Sequence, residues 1–151
     1  MYANMDFGML SNNLTTNNLR IAAGKVFERA IRRSHTARFW ARLLGKNNQL
    51  LELSAQPVSP RRRVGHIITV PISQIKGSLG RSTDFDAEFN PPKEHNRERW
   101  ISVASAVMKQ LPLPPVELVQ VGDIYFVQDG HHRISVAHAL NQDVIEASIV
   151  N

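Results

Sequence analysis

The sequence predicts an α/β (α+β) fold: a small mixed β-sheet with packed helices, preceded by a long basic N-terminal helix. Three observations carry this expectation. Short β-patterned runs at 67–70, 116–121, 124–127 and 144–150 alternate with helical patterns at 94–110 and 131–140. A separate helical period begins at Leu19. The charge is also lopsided: residues 1–63 hold 11 of the 18 Lys/Arg and only Asp6, Glu28 and Glu52 as acids, whereas residues 64–151 hold 7 bases and 10 acids. A basic appendage beside a near-neutral domain of 64–151 is the simplest organisation with that distribution.

Taken in order, residues 1–18 are rich in Asn, Thr and Ser without apolar period and are expected to be mobile. From Leu19, apolar positions at Ala22, Val26, Ala30, Ala37, Trp40, Ala41 and Leu44 form a stripe, broadened by Ala23, Phe27 and Ile31. Lys25, Arg29, Arg32, Arg33 and Arg42 occupy the other face, and Gly45 sits at the expected C′ position. The helix is therefore placed at 19–45. Residues 46–63 read as a linker with an apolar touchdown at Leu50, Leu51 and Leu53, punctuated by Pro57, Pro60 and Arg61-Arg62-Arg63.

In the domain at 64–151, Ile67-Ile68-Thr69-Val70 reads as a strand stopped by Pro71, followed by a polar loop through Gly77, Gly80 and Arg81. The next helix has Trp100, Val103, Ala104, Val107 and Met108 on its buried side and ends before Pro112. Gly122-Asp123 joins the following two strands as a type II′ hairpin, because glycine tolerates the positive φ at the first central position. Ile124–Val127 is apolar throughout, the pattern of a strand covered on both faces. A third helix follows, with Asn141 at C′, and the last strand turns Ile145, Ala147 and Ile149 to one side.

The chemistry concentrates at Asp129-Gly130-His131-His132-Arg133, where a strand turns into a helix. The first N–H groups of a helix lie outside its hydrogen-bond ladder and carry partial positive charge, which favours an anion. Glycine permits the sharp turn and close approach. Imidazole donors and a guanidinium fork add to a site suited to phosphate. Asp129 could hold a histidine tautomer, orient a water or accept a proton. An isolated Asp-Gly is usually only a turn; the convergence of His131, His132 and Arg133 on one helix start favours the ligand reading. Adjacent histidines on a helix point about 100° apart, so no metal site is expected there. His138 reads as structural, and His35, His66 and His95 are given no role.

These residues resemble the ParB N-terminal/sulfiredoxin superfamily over residues 65–150. The likeness rests on Pro115-Val116, Tyr125-Phe126-Val127, Asp129-Gly130-His131-His132-Arg133 and Ala139-Leu140-Asn141, with a looser match through Val70–Ile75, Gly80-Arg81 and Phe85-Asp86. ParB CTPases carry Gly-Glu-Arg-Arg, which keeps Gly130 and Arg133 but replaces His131 and His132. Sulfiredoxins carry Gly-Cys-His-Arg, so His131 stands where the nucleophilic Cys would be. With no cysteine in the chain, sulfinic-acid reduction by that mechanism is excluded. The Asp-Gly-x-His-Arg version is similar to members related to free serine kinases. That similarity implies a nucleotide or other phosphorylated ligand held by Gly130, His132 and Arg133, with Asp129 and His131 as catalytic candidates for nucleotide hydrolysis or phosphoryl transfer. It also implies Arg81 and Ser82 as phosphate contacts on the other wall, formed by Gly77–Ser82. Mg²⁺ would accompany such a nucleotide; Asp84, Asp86 and Glu88 could help hold it, although a solvated acidic loop is the favoured reading of those three residues. ParB partition proteins continue into a helix-turn-helix and a dimerisation region; a chain that ends at Asn151 is expected to lack both.

Two other readings stay open. One is a non-enzymatic DNA-associated accessory protein, with Arg29, Arg32, Arg33, Arg61, Arg62 and Arg63 touching phosphates. The other is a ParB-like nuclease, for which no carboxylate cluster speaks. A homodimer is also left open. No window reaches the roughly 18 apolar residues of a membrane span, so no membrane partner is expected. The absence of cysteine suits a reducing compartment, and a cytoplasmic location is the expectation.

Overall fold

The computed structural model describes residues 6–54, 66–80 and 83–150, with side chains from Thr15 onward. Three helices accompany a six-stranded mixed sheet: α1 (Asp6–Leu43), β1 (Leu51–Glu52), β2 (Ile67–Pro71), β3 (Ile75–Ser78), α2 (Arg97–Met108), β4 (Val116–Val121), β5 (Ile124–Asp129), α3 (His131–Ala139) and β6 (Val144–Ile149). The sheet order is β1-β3-β5-β4-β6-β2. Strands β1, β3 and β5 run parallel, and β4 is parallel to β6. The β4–β5 hairpin and the β2–β6 pair are antiparallel. The α/β expectation with its long N-terminal helix therefore holds.

Four local differences are instructive. Helix α1 starts at Asp6, so the segment expected to be mobile up to residue 18 continues the helix instead. Adding residues to a packed helix costs little once it is nucleated, and Asn, Thr and Ser are only mildly unfavourable in its interior. The buried side of α1 is Ala23, Val26, Phe27, Ala30, Ile31 and Ser34, whereas Trp40 and Leu44 of the expected stripe are 53% and 62% exposed. The touchdown in the linker contributes edge strand β1, with Leu50 buried beside it. Lastly, Ile75–Ser78, read as the start of a polar loop, forms β3 between β1 and β5.

Turn chemistry explains most element ends. Lys46 N–H donates to the Ala41 carbonyl and Gly45 N–H to Arg42, a Schellman closure of α1. The same pair of bonds closes α2 through Gln110 and α3 through Asn141, both at positive φ. Gly122 has positive φ while Asp123 does not, which is the type II′ pattern.

Two apolar clusters hold these parts together. The sheet core comprises Leu50, Val70, Ile75, Phe85, Phe89, Val116, Leu118, Val127, Ile134 and Ala147. The helix core joins α1 to α2 through Phe27, Ile31, Trp100, Ile101 and Ala104, with the Phe27 and Trp100 rings edge to face at 5.4 Å. Helix α3 belongs to both: Ile134 enters the sheet core and Val136 the helix core. Trp100 Nε1–H donates to Ser135 Oγ at 2.8 Å, satisfying a polar atom that burial would otherwise penalise. The Arg20–Glu98 and Arg97–Glu28 pairs between α1 and α2 are exposed and add little to this apolar contact. Among the described residues, no helix is long and apolar enough to cross a membrane.

Candidate functional site at the β5–α3 turn

Strands β3 and β5 are adjacent and parallel, so their C-terminal ends lie on the same edge of the sheet. Open α/β sheets commonly hold ligands outside that edge. Here β3 ends at Ser78, and β5 ends at Asp129, directly before Gly130 and α3. Gly130 is the N-cap of α3 at φ 103°, and Ile134 N–H makes the first intrahelical bond, to its carbonyl.

His131 and His132 are both buried, at 5% and 6% exposure. Ser78 Oγ and His131 Nε2 share a buried hydrogen bond of 2.6 Å. The Phe85 ring stacks on His131 (6.2 Å between centroids, 14°) and meets His132 edge-on at 5.5 Å. These contacts fix both imidazoles, so their donors are positioned before any ligand arrives.

Arg133 is engaged more heavily than the sequence suggests. One Nη2–H donates to Asp129 Oδ2 at 2.7 Å, while Nη1 donates to the carbonyls of Pro114 and Pro115. Its side chain is only 16% exposed, against 65% for Asp129. Arg133 therefore ties α3 to the Pro114-Pro115 segment that leads into β4. The hydrogen bonds described leave Nε and one Nη2 proton as its remaining donors.

Beside the histidines, Asp86 organises the 83–90 segment. Its Oδ1 accepts from the N–H groups of Glu88 and Asn90, and its Oδ2 accepts from Asn90 Nδ2. Burial pushes this carboxyl above the ordinary carboxylate value, opposed by the bonds from Asn90 and Glu88. Its oxygens serve the loop, which sets it apart from Asp84 and Glu88 as a cation ligand. Among the described residues, no group of three or more His, Asp or Glu could hold a metal ion.

Of the residues singled out from sequence, Gly130, His131, His132, Arg133 and Asp129 are brought together at this turn. Arg81, Ser82, Arg61, Arg62 and Arg63 lie outside the described residues. Arg29 and Arg32 fold back onto their own helix, donating to the carbonyls of Lys25 and Glu28, and Arg33 is exposed. Ser78 and Phe85 were not read as partners of the histidines. Both lie far from them in sequence; Ser78 is brought to His131 by the pairing of β3 with β5, and Phe85 by the segment at 83–90.

No family model matches the chain, and no curated protein is similar to it. Among solved structures, it is similar to the crystal structure of sulfiredoxin from Arabidopsis thaliana, at 18% identity and a TM-score of 0.43. That similarity covers 56% of this chain and 83% of the other.

Proposed function

We propose that this chain is a ParB/sulfiredoxin-like domain that binds a nucleotide or another phosphorylated ligand at the β5–α3 turn. The observation that carries the reading is the meeting of Ser78 and His131 at the shared C-terminal edge of β3 and β5, beside the start of α3. Gly130 lets α3 start close against Val116, which sets the first N–H groups of the helix at this edge of the sheet. His132 and the remaining Arg133 donors supply charge-assisted hydrogen bonds, with Arg81 and Ser82 assigned to the opposite wall. A divalent ion such as Mg²⁺ would enter with the ligand, held chiefly by its phosphates. Turnover, whether nucleotide hydrolysis or phosphoryl transfer, falls to Asp129 and His131.

Calorimetric titration of the full chain with adenine, guanine and cytosine nucleotides plus Mg²⁺ tests the binding step. Ser78→Ala and His132→Gln are each expected to weaken binding about tenfold, the loss of roughly 1.4 kcal/mol of hydrogen bonding. Absence of binding by every nucleotide, or unchanged affinity in both variants, overturns the assignment. Asp129→Asn with binding retained and turnover lost would place Asp129 in the chemistry.

A further inference from the structure

A groove of about 380 Å³ lies between the C-terminal end of α1 and the 83–93 segment. Arg38, Arg42, Lys46 and Lys93 line it, and among the described residues Asp86 is the one acid in its wall. None of the four cations forms an ion pair among the described residues. Asp86 forms no ion pair with them, its oxygens accepting hydrogen bonds within its own loop, so at most one negative charge stands against four positive ones.

Helix geometry accounts for part of this cluster. Arg38 and Arg42 are one turn apart, and cations near a helix C-terminus complement the exposed carbonyls. That explanation does not reach Lys93, which arrives from a segment some fifty residues later and faces the same space. A second observation also points to a ligand. Asn48 lines the groove, and its Nδ2, shielded from solvent, has no hydrogen-bond partner among the described residues. A buried donor without an acceptor is costly unless something supplies one. Phosphate oxygens would satisfy the cations and this amide together.

The groove also limits what can occupy it. Its volume falls in the range of small-molecule sites, and Ala41, Phe85 and Pro92 give it apolar wall for a ring. The exposed aromatic pair Phe39 and Trp40 is not in the lining. At 100° per residue Trp40 points away from the face of α1 shared by Arg38, Ala41 and Arg42, and Phe39 lies at the margin of that face, about 60° from Arg42.

We propose that this groove is a second ligand site, sharing the Phe85 ring with the β5–α3 turn but drawing its polar groups from other residues, that takes a small organic molecule bearing two or more phosphates. The phosphates bridge Arg38, Arg42 and Lys46 of one wall to Lys93 of the other, and the Asn48 side chain turns its shielded amide outward to donate to an oxygen at the floor.

The test is amide NMR of the full ¹⁵N-labelled chain, titrated with ADP and separately with inorganic pyrophosphate. The largest shifts are expected at residues 42–49 and 93 and at the Asn48 side-chain amide, with pyrophosphate competing against ADP. Arg42→Glu/Lys93→Glu should weaken binding about a hundredfold, as expected for two charge-assisted contacts. Lys25→Glu, a single charge reversal on the same helix but outside the groove, should alter it less than about twofold, whereas Arg42→Glu alone should weaken it about tenfold. Shifts confined to residues 130–133 would overturn the second site while supporting the first. Absence of shifts with either probe at millimolar concentration, or equal weakening by Lys25→Glu, would also overturn it. Because the wild-type shifts locate the site directly, the outcome stands even if the double variant is unstable.

Discussion

A Cβ added at residue 130 would lie 2.5 Å from Val116 Cγ1, and the φ of 103° is one that L side chains rarely adopt. Both constraints arise where α3 must start close against β4. Gly130→Ala is expected to cost on the order of 3 kcal/mol, combining backbone strain with overpacking. Urea denaturation measures it, and a loss below about 1 kcal/mol would show that α3 can shift away from Val116. Asp86 makes a prediction of opposite character. Its carboxyl is raised by burial, so the folded state holds the proton more tightly than the unfolded chain. The contribution of Asp86 to stability is therefore fully present below the ordinary carboxylate value and is lost as pH rises through the raised one. Asp86→Asn retains an acceptor for the Glu88 and Asn90 N–H groups and removes the titration. The stability of the parent relative to this variant should fall as pH rises from about 3 to 7. Paired urea curves at each pH check the sign; a flat or rising difference would refute it.

Among the elements, α1 shows how far a helix can extend beyond its partners. Its 38 residues reach past the contacts that bury Ala23 through Ser34, leaving Phe39, Trp40, Leu43 and Leu44 exposed. The hold on the domain is concentrated at Phe27, fully buried against Trp100. Phe27→Ala should cost about 3–5 kcal/mol, because the cavity forms in a contact that only α1 can fill. In a Trp40→Phe background, where Trp100 is the remaining indole, fluorescence would report the loss as a red shift when water reaches the ring. An unchanged spectrum and midpoint would mean that α1 is not anchored there. The sequence revealed the helix and its polar face of Lys25, Arg29, Arg32 and Arg33. It placed Trp40 and Leu44 on the buried stripe because periodicity tells which face is apolar, not where the partner helix ends.

At the scale of the molecule, the sheet order sets the hierarchy of stability. Strands β5, β4 and β6 lie inside the sheet, with Val116, Leu118, Val127 and Ala147 all at 1% exposure or less. Strand β1 has two residues at an edge. Native-state hydrogen exchange is expected to be slowest at the amides of β4, β5 and β6 and fastest at β1 and the ends of α1. Protection of Leu51 equal to that of Val127 would contradict this order. The same architecture places the candidate site, since Ser78 and His131 approach only because β3 and β5 are parallel neighbours. The basic groove likewise joins Arg38 and Arg42 of α1 to Lys93, which are distant in sequence and meet only in the folded chain.

By itself the sequence determined the α/β class, the β4–β5 hairpin, the closing strand, the C′ positions at Gly45 and Asn141, and the strand–helix turn at Asp129–Arg133. All of these are written in local signals, namely apolar period, turn residues and caps, which act over a few positions. Tertiary structure alone decided that Ile75–Ser78 is a strand. Lys76 and Gly77 have weak strand propensity, and pairing on both sides overrides it. It also decided that Ser78 and Phe85 flank His131, and that Arg133 is bound to Asp129 and the Pro114 and Pro115 carbonyls before any ligand arrives. Those are contacts between distant residues, and no local pattern in the chain encodes which of them will touch.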